Sequence, residues 1–392
     1  MNILCLSPTF LPVVGGAELV LWEVYRRLAT RHNVLLLTPE LNKQLLDNYS
    51  KNAEDYPINF RVVRYKDRIT FMSIRGHRLS GGLIPPFSIS AIFALKTALQ
   101  SFQPDVINVH YTMPTGLAAG AANTLWNIPT ILTLNGRDVP GPGVPPLWKY
   151  WHRLIARLCT EITYVSEYCR EVVFGPDDPG IVTWNGVDFD NIKIEDAGDL
   201  REKLNFEKDA KVIFALQRLS KEKRVDVLLE AVKYIVQRAP NCYLIIGGTG
   251  PEKENLVKQA HRLNIFDNVL FAGFIPDADI GAYFNLCDIF MFNSTYETFG
   301  IVLAQAMAYG KPIVSVKNTA IPGVVKDGEC GLLVESNQPQ RMAEAAVQLL
   351  IDPQMRKAMG ARGHERAKTL FDWDIVASKY EKIFQTSVAK RS

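Results

Sequence analysis

Three short stretches of the second half place chemistry-bearing residues where a strand gives way to a helix. In "QRLSKEKRVDVLLEA", Arg218 and Lys223 follow the apolar run Val212 to Leu216 and precede a helical pattern. Two cations and a helix N-terminus there can converge on one anion. The plain alternative is a solvated charge run, to which Lys221, Glu222 and Arg224 belong. In "YETFGIVLAQAMAYGKP", Glu297 stands just ahead of an apolar helix that opens at Gly300 and ends at Gly310 and Pro312. The spacing predicts a helix buried nearly all round, with an N-terminus suited to an anion. If Glu297 caps it, Gln305 lies about 9 Å deeper along the axis. A capping Glu and a core Gln bonded to backbone form the structural alternative. In "IIGGTGPE", Gly247, Gly248 and Gly250 let backbone approach a ligand, but Lys253 stands where a dinucleotide fingerprint needs its third small residue. Nicotinamide cofactors are disfavoured.

The first half carries polar groups at comparable places. "FLPVVGGAELVLWEV" puts Gly15 and Gly16 at the start of an amphipathic helix, where free amides can meet a phosphate or a hydroxyl. "VINVHYTMP" ends a strand at His110, and "ILTLNGRDVP" ends one at Asn135, with Arg137 and Asp138 next. A His at a strand end is as much a bonded structural residue as a catalytic one.

The elements needed to hold these loops are short apolar strands alternating with amphipathic helices, the pattern of parallel sheets covered on both faces. Strands are expected at Ile3 to Leu6, Val34 to Leu37, Phe60 to Tyr65, Val106 to Val109, Ile131 to Leu134, Ile162 to Val165 and Ile181 to Trp184. In the second half they fall at Val212 to Leu216, Tyr243 to Ile246, Val269 to Ala272, Ile289 to Phe292 and Ile313 to Val316. The charged stretch Asp188 to Lys211 divides the halves, giving domains over 1–190 and 209–370 with a boundary near Asn191 to Lys208. Closing helices are expected at Gln340 to Leu350, at Pro353 to Leu370 and after "FDWD". With 392 residues, 47% of them hydrophobic and 22% charged, the chain suits two soluble domains. A net charge of +3 gives no argument for nucleic acid. The six cysteines sit singly in apolar segments and suit a reducing compartment. The opening residues form no signal peptide, and no apolar run reaches spanning length. A cytoplasmic location is expected.

In order and spacing, "PTFLPVVGGAE", "PDVINVH", "LTLNGRD", "TYVSEYCREVV", "WNGVD", "QRLSKEKRVDVLLEA", "IIGGTGPE", "VLFAGFIP" and "YETFGIVLAQAMAYGKPIV" resemble a family 4 glycosyltransferase over nearly the whole chain. The resemblance implies the GT-B fold: α/β, two doubly wound Rossmann-like domains facing a cleft, the first receiving the acceptor and the second the nucleotide-sugar. It also implies a final helix, about 374–392, that returns to the first domain. It implies retaining transfer from a nucleotide-diphosphate sugar to a glycan or lipid-linked hydroxyl, with no metal and no other cofactor. The D-x-D strings at Asp188, Asp277 and Asp372 are then loop or cap residues. Arg218 and Lys223 match the pair on the donor diphosphate, and Glu297 matches the group on the donor-sugar hydroxyls. With His110 they form the expected catalytic set. The expected donor-binding set is Gly15, Gly16, Asn135, Gly248, Phe274, Thr298, Phe299, Gly300, Ile301 and Gln305.

Two positions depart from the family pattern. Gln305 stands where a second Glu usually binds the ribose, and Asn135 where a His usually touches the donor sugar. At Gln305, swapping carboxylate for amide replaces a charge-assisted bond of about 1.5 to 3 kcal/mol by a neutral bond of about 0.5 to 1.5. The departures keep open a silent relative that binds nucleotide or a partner without transfer. A sugar-nucleotide epimerase on the same fold is a third reading. The basic and apolar stretch Arg61 to Arg78 is a candidate contact for an anionic membrane surface, with a strand and solvated loop as its plainer reading.

Overall fold

Strands buried on both faces read as continuous apolar runs, and "NILCL" at the start of the chain is one. Ile3, Leu4, Cys5 and Leu6 are fully buried in β1 (Asn2–Leu6). The computed structural model describes residues 1–13, 15–41, 56–68, 70–71, 87–136, 139 and 147–391. Its contacts divide the chain into two compact units, 1–185 with 373–392, and 186–372. The passage between them at 185/186 precedes the charged stretch taken above as the boundary. That stretch lies in the second unit and contains a short helix, Gly198–Lys203.

In the first unit β1 pairs in parallel with β2 (Asn33–Pro39) on one side and β6 (Val106–His110) on the other, with Leu4 opposite both Leu35 and Ile107. The full order is β3-β2-β1-β6-β7-β8-β9, where β3 is Arg61–Tyr65, β7 Thr130–Leu134, β8 Glu161–Tyr164 and β9 Ile181–Val182. A separate antiparallel pair, β4 (Thr70–Phe71) with β5 (Phe87–Ser88), had no counterpart in the sequence reading.

The helix Gly16–Leu28 repeats buried Val20, Leu21, Val24, Tyr25 and Leu28, the spacing of one helical face. That face meets the far end of the chain. In the helix Trp373–Ala389, Trp373, Val376, Tyr380, Ile383 and Phe384 enter the same apolar core. Arg27 Nε donates to Asp374 at 2.6 Å, and Arg31 and His32 both reach Glu381 at 2.7 Å.

The second unit is a parallel sheet of order β12-β11-β10-β13-β14-β15. Its strands are β10 (Lys211–Leu216), β11 (Cys242–Gly247), β12 (Val269–Gly273), β13 (Ile289–Met291), β14 (Ile313–Val316) and β15 (Gly331–Val334). Phe214, Phe284 and Phe290 pack with centroids 5.2, 5.5 and 5.9 Å apart beneath it. β15 was missed because "GLLV" is four residues long and opens on a glycine. No helix among the described residues is long and apolar enough to cross a membrane.

Each sheet reverses its strand order once, between β1 and β6 in the first unit and between β10 and β13 in the second. Such reversals open a crevice beyond the carboxyl ends of the strands, where doubly wound sheets bind ligands.

Candidate active site

The loops after β10 and β13, the two strands flanking the reversal of the second sheet, are sewn to each other. Thr295 N donates to Glu222 O at 2.8 Å, and Asn293 Nδ2 donates to Arg224 O at 3.2 Å. Ser294 and Thr295 hydroxyls also donate to Glu222 O, at 3.4 and 3.1 Å. This stitching brings Lys223, at the end of the single 3-10 turn Lys221–Lys223, against Glu297: the Lys223 ammonium donates to Glu297 Oε1. Their side chains are 21% and 13% exposed, so the pair is partly desolvated yet open to one side. Lys223 also lies over the Phe292 ring, 5.7 Å from its centroid. An ammonium has three donors, so two remain for an incoming anion. Arg218, at the mouth of the same loop, is exposed, and its guanidinium makes no bond among the described residues.

Glu297 does not cap the following helix. Its amide donates to Thr319 Oγ1 at 2.9 Å and its carbonyl accepts from Ala320, which turns the carboxylate toward Lys223 instead. The helix is Ile301–Ala308, and its cap is Gly300, left-handed at φ 85° with no side-chain bond to the first turn. The leading amides at Ile301 therefore stay open for an anion. Nor is the helix buried all round. Leu303, Ala304, Ala306, Met307 and Ala308 are buried, while Ile301, Val302 and Gln305 are half-buried. The Gln305 amide makes no hydrogen bond among the described residues, so it is not a core Gln tied to backbone. Thr298 is half-buried; the Phe299 side chain belongs to the core, edge-on to Phe371.

Beside these, the loop after β11 presses on the loop after β10. Gly248 N donates to Gly273 O at 2.6 Å, Leu219 N donates to Thr249 O at 2.9 Å, and a Cβ on Gly248 would lie 2.0 Å from Gln217 O. Gly248 and Gly250 thus serve close packing of the two loops, while Gly247, at the end of β11, leaves room for the Ile275 and Leu216 side chains. Phe274, just past β12, is 62% exposed. Gln217 was not singled out in the sequence: it is 7% exposed, with neither amide atom partnered among the described residues, a burial that costs about 1 to 3 kcal/mol.

In the first unit, Gly15 is the extended cap of Gly16–Leu28 and makes no side-chain bond to its first turn. His110 ends β6 but is only 1% exposed, and both ring nitrogens are engaged: Nε2 lies 3.2 Å from the Tyr25 hydroxyl and Nδ1 lies 3.1 Å from Asn135 Nδ2. Its ring is turned to Tyr25 and Asn135 and not to the surface, whereas Asn135 in front of it is half-buried. Tyr25 and Asn108 complete this network unforeseen; the available signal was Asn108, a polar residue inside a strand buried throughout. Arg137 and Asp138 lie outside the described residues.

Burial pushes His110 down to about 4, against a smaller upward pull from Asn135, and burial pushes His152 down to about 4. Both are neutral in the fold, whereas the unfolded chain protonates them near 6.5. Their contribution to stability is present above 6.5 and is lost as pH falls toward 4. We expect denaturant unfolding at pH 5 to take up roughly two more protons from these side chains. The H110N variant, which still fills the site, should roughly halve the pH dependence across that window, His152 supplying the rest; an unchanged profile would refute the assignment.

Residues 14–191 match the family described as Glycosyltransferase Family 4, and residues 196–366 match Glycosyl transferases group 1. The chain is a family 4 glycosyltransferase. The N-acetyl-alpha-D-glucosaminyl L-malate synthase of Bacillus anthracis is 26% identical to this glycosyltransferase over 383 residues, covering 96% of this chain and 95% of that one. The GDP-mannose-dependent alpha-(1-6)-phosphatidylinositol monomannoside mannosyltransferase of Mycobacterium tuberculosis is 29% identical over 393 residues, covering 96% of each. Among solved structures, Anabaena HepE in complex with UDP superposes with a TM-score of 0.79 at 22% identity, over 98% of this chain and 100% of that one. The glycosyltransferase therefore has the two-sheet α/β architecture of the GT-B enzymes.

Proposed function

We propose that the protein transfers a sugar, with retention, from a nucleotide-diphosphate donor to a hydroxyl of a glycan or lipid-linked acceptor, without a metal. The observation that carries this is the cluster at the strand-order reversal of the second sheet: Lys223 paired to Glu297, exposed Arg218 on the same loop as Lys223, and the uncapped start of Ile301–Ala308. A diphosphate needs concentrated positive charge, and two cations with a helix end supply it. Glu297 then holds hydroxyls of the donor sugar, Gln305 the ribose, and the unmet Gln217 amide is available to the same ligand. Chemically, the bond from the anomeric carbon to the leaving phosphate oxygen breaks while a bond to the acceptor oxygen forms on the same face. The acceptor proton passes to the departing phosphate, so the protein supplies neither nucleophile nor base. It lowers the barrier by neutralising charge on the leaving oxygen and by orienting the acceptor.

The relatives support the donor class: one is named for GDP-mannose, and HepE was solved with UDP. A lipid-linked acceptor would be met at an anionic membrane surface, for which Arg61, Arg64, Lys66 and Arg68 are the basic residues within the described part of Arg61 to Arg78; residues 69 and 72–78 lie outside it.

A panel of nucleotide-sugars scored by protection against thermal unfolding tests the reading, since a ligand at 100 times its Kd adds about 2.7 kcal/mol. Q305E should bind the chosen donor roughly tenfold more tightly. Asn135 and Gln305 favour one rival, the silent relative: nucleotide protection without turnover of any donor would establish it and overturn transfer.

A further inference from the structure

The buried network behind Asn135 has only one consistent proton arrangement. Asn108 Nδ2 donates to the Ile131 carbonyl at 3.1 Å and to Thr133 Oγ1 at 2.8 Å. The carbonyl can only accept, so the Asn108 amide cannot be reversed, and Asn108 Oδ1 must face Tyr25, 2.7 Å away. Oδ1 is an acceptor, which obliges the single Tyr25 proton to point at it. The Tyr25 oxygen is then left to accept from His110 Nε2 at 3.2 Å. Neutral His110 thus carries its proton on Nε2, and Nδ1 has a lone pair. Of the two Asn135 atoms near Nδ1, the nitrogen at 3.1 Å can donate to that lone pair, whereas the oxygen at 3.4 Å would be repelled.

We propose that Tyr25, Asn108 and His110 are positioning residues that lock the Asn135 carboxamide nitrogen-inward, so that its carbonyl oxygen is presented as an acceptor to a hydroxyl of the sugar substrate. A freely rotating asparagine would offer donor or acceptor indifferently; this one is committed by an anchor in the backbone of β7, three side chains away. The sugar as the source of the hydroxyl rests on the transferase reading. The orientation does not.

The test therefore has one arm without catalysis. Nitrogen NMR of the histidines in the full chain, without substrate, should show His110 as the Nε2-protonated tautomer, and Y25F should abolish that single state. The Nδ1-protonated tautomer in the wild type would overturn the proposal. In the second arm, Y25F should lower kcat/KM about three- to tenfold in the wild-type background and not at all in N135A, because the relay acts only through that amide. Additive losses would overturn it. Should Y25F fail to fold, N135D supplies the check: a carboxylate against Nδ1 must draw a proton there, so His110 should titrate at higher pH than in the wild type, and an unmoved titration refutes the contact. Absence of turnover with every donor, alongside the Nε2 tautomer, would sink the transferase reading and leave the locked amide standing.

Discussion

Replacing Lys223 with alanine is expected to lower kcat for sugar transfer by about 10²- to 10³-fold, the scale seen when one preorganised charge stabiliser is removed from an active site. The expectation follows from where the ammonium is held. Its partner Glu297 fixes it from one side, the Phe292 ring supports it from another, and two of its donors are left for the leaving diphosphate. Alanine also leaves Glu297, 13% exposed, without its counter-charge, so donor affinity should fall along with kcat. K223R keeps the charge but not the compact geometry and should recover only part of the rate. R218A removes an exposed side chain that makes no hydrogen bond among the described residues, so stability should stay within about 0.5 kcal/mol while transfer falls. Steady-state kinetics with a donor identified by thermal protection would measure all three. A double variant R218A/K223A that transfers sugar at the wild-type rate would end the case for these cations.

The second large effect is on the fold. G248A should destabilise the second unit by more than about 3 kcal/mol, because its φ of 123° is strained for any L side chain and the added Cβ would lie 2.0 Å from Gln217 O. Backbone, not a flexible side chain, is in the way, so β10 and β11 would have to separate where their loops carry Arg218 and Lys223. Gly328 supplies the control. Its φ is 75° with nothing within 4 Å of a built Cβ, so G328A should cost only the left-handed strain, about 1 to 2 kcal/mol. Denaturant midpoints for the two variants separate steric exclusion from backbone strain; equal costs would mean the loops yield more easily than their contacts imply.

What could be read beforehand was whatever depended on local pattern. The helix Pro353–Leu370 was bounded to the residue, Asp352 capping it and Pro353 opening its first turn, and most strands of both sheets came within a residue or two of their observed ends, because apolar runs between turn signals are local facts. Long-range facts were hidden. That Glu297 faces Lys223 and not its own helix is decided by Thr319 and Ala320 gripping its backbone from beyond β14. That His110 is sealed depends on Tyr25, 85 positions earlier, and on Asn135, 25 later. β15 was invisible as a strand because its stability comes from pairing with β14, not from its four residues.

The core beneath the first sheet is finished by Trp373, Val376, Tyr380, Ile383 and Phe384, which seat against Val24, Tyr25 and Leu28 from the opposite end of the chain. During synthesis, then, the opening portion of the polypeptide must wait, with that greasy seam uncovered, until the whole second unit and the closing helix have emerged from the ribosome. The intervening unit, whose sheet is built from one unbroken stretch, has no such delay and can mature first, so a nascent chain would acquire its middle before its beginning.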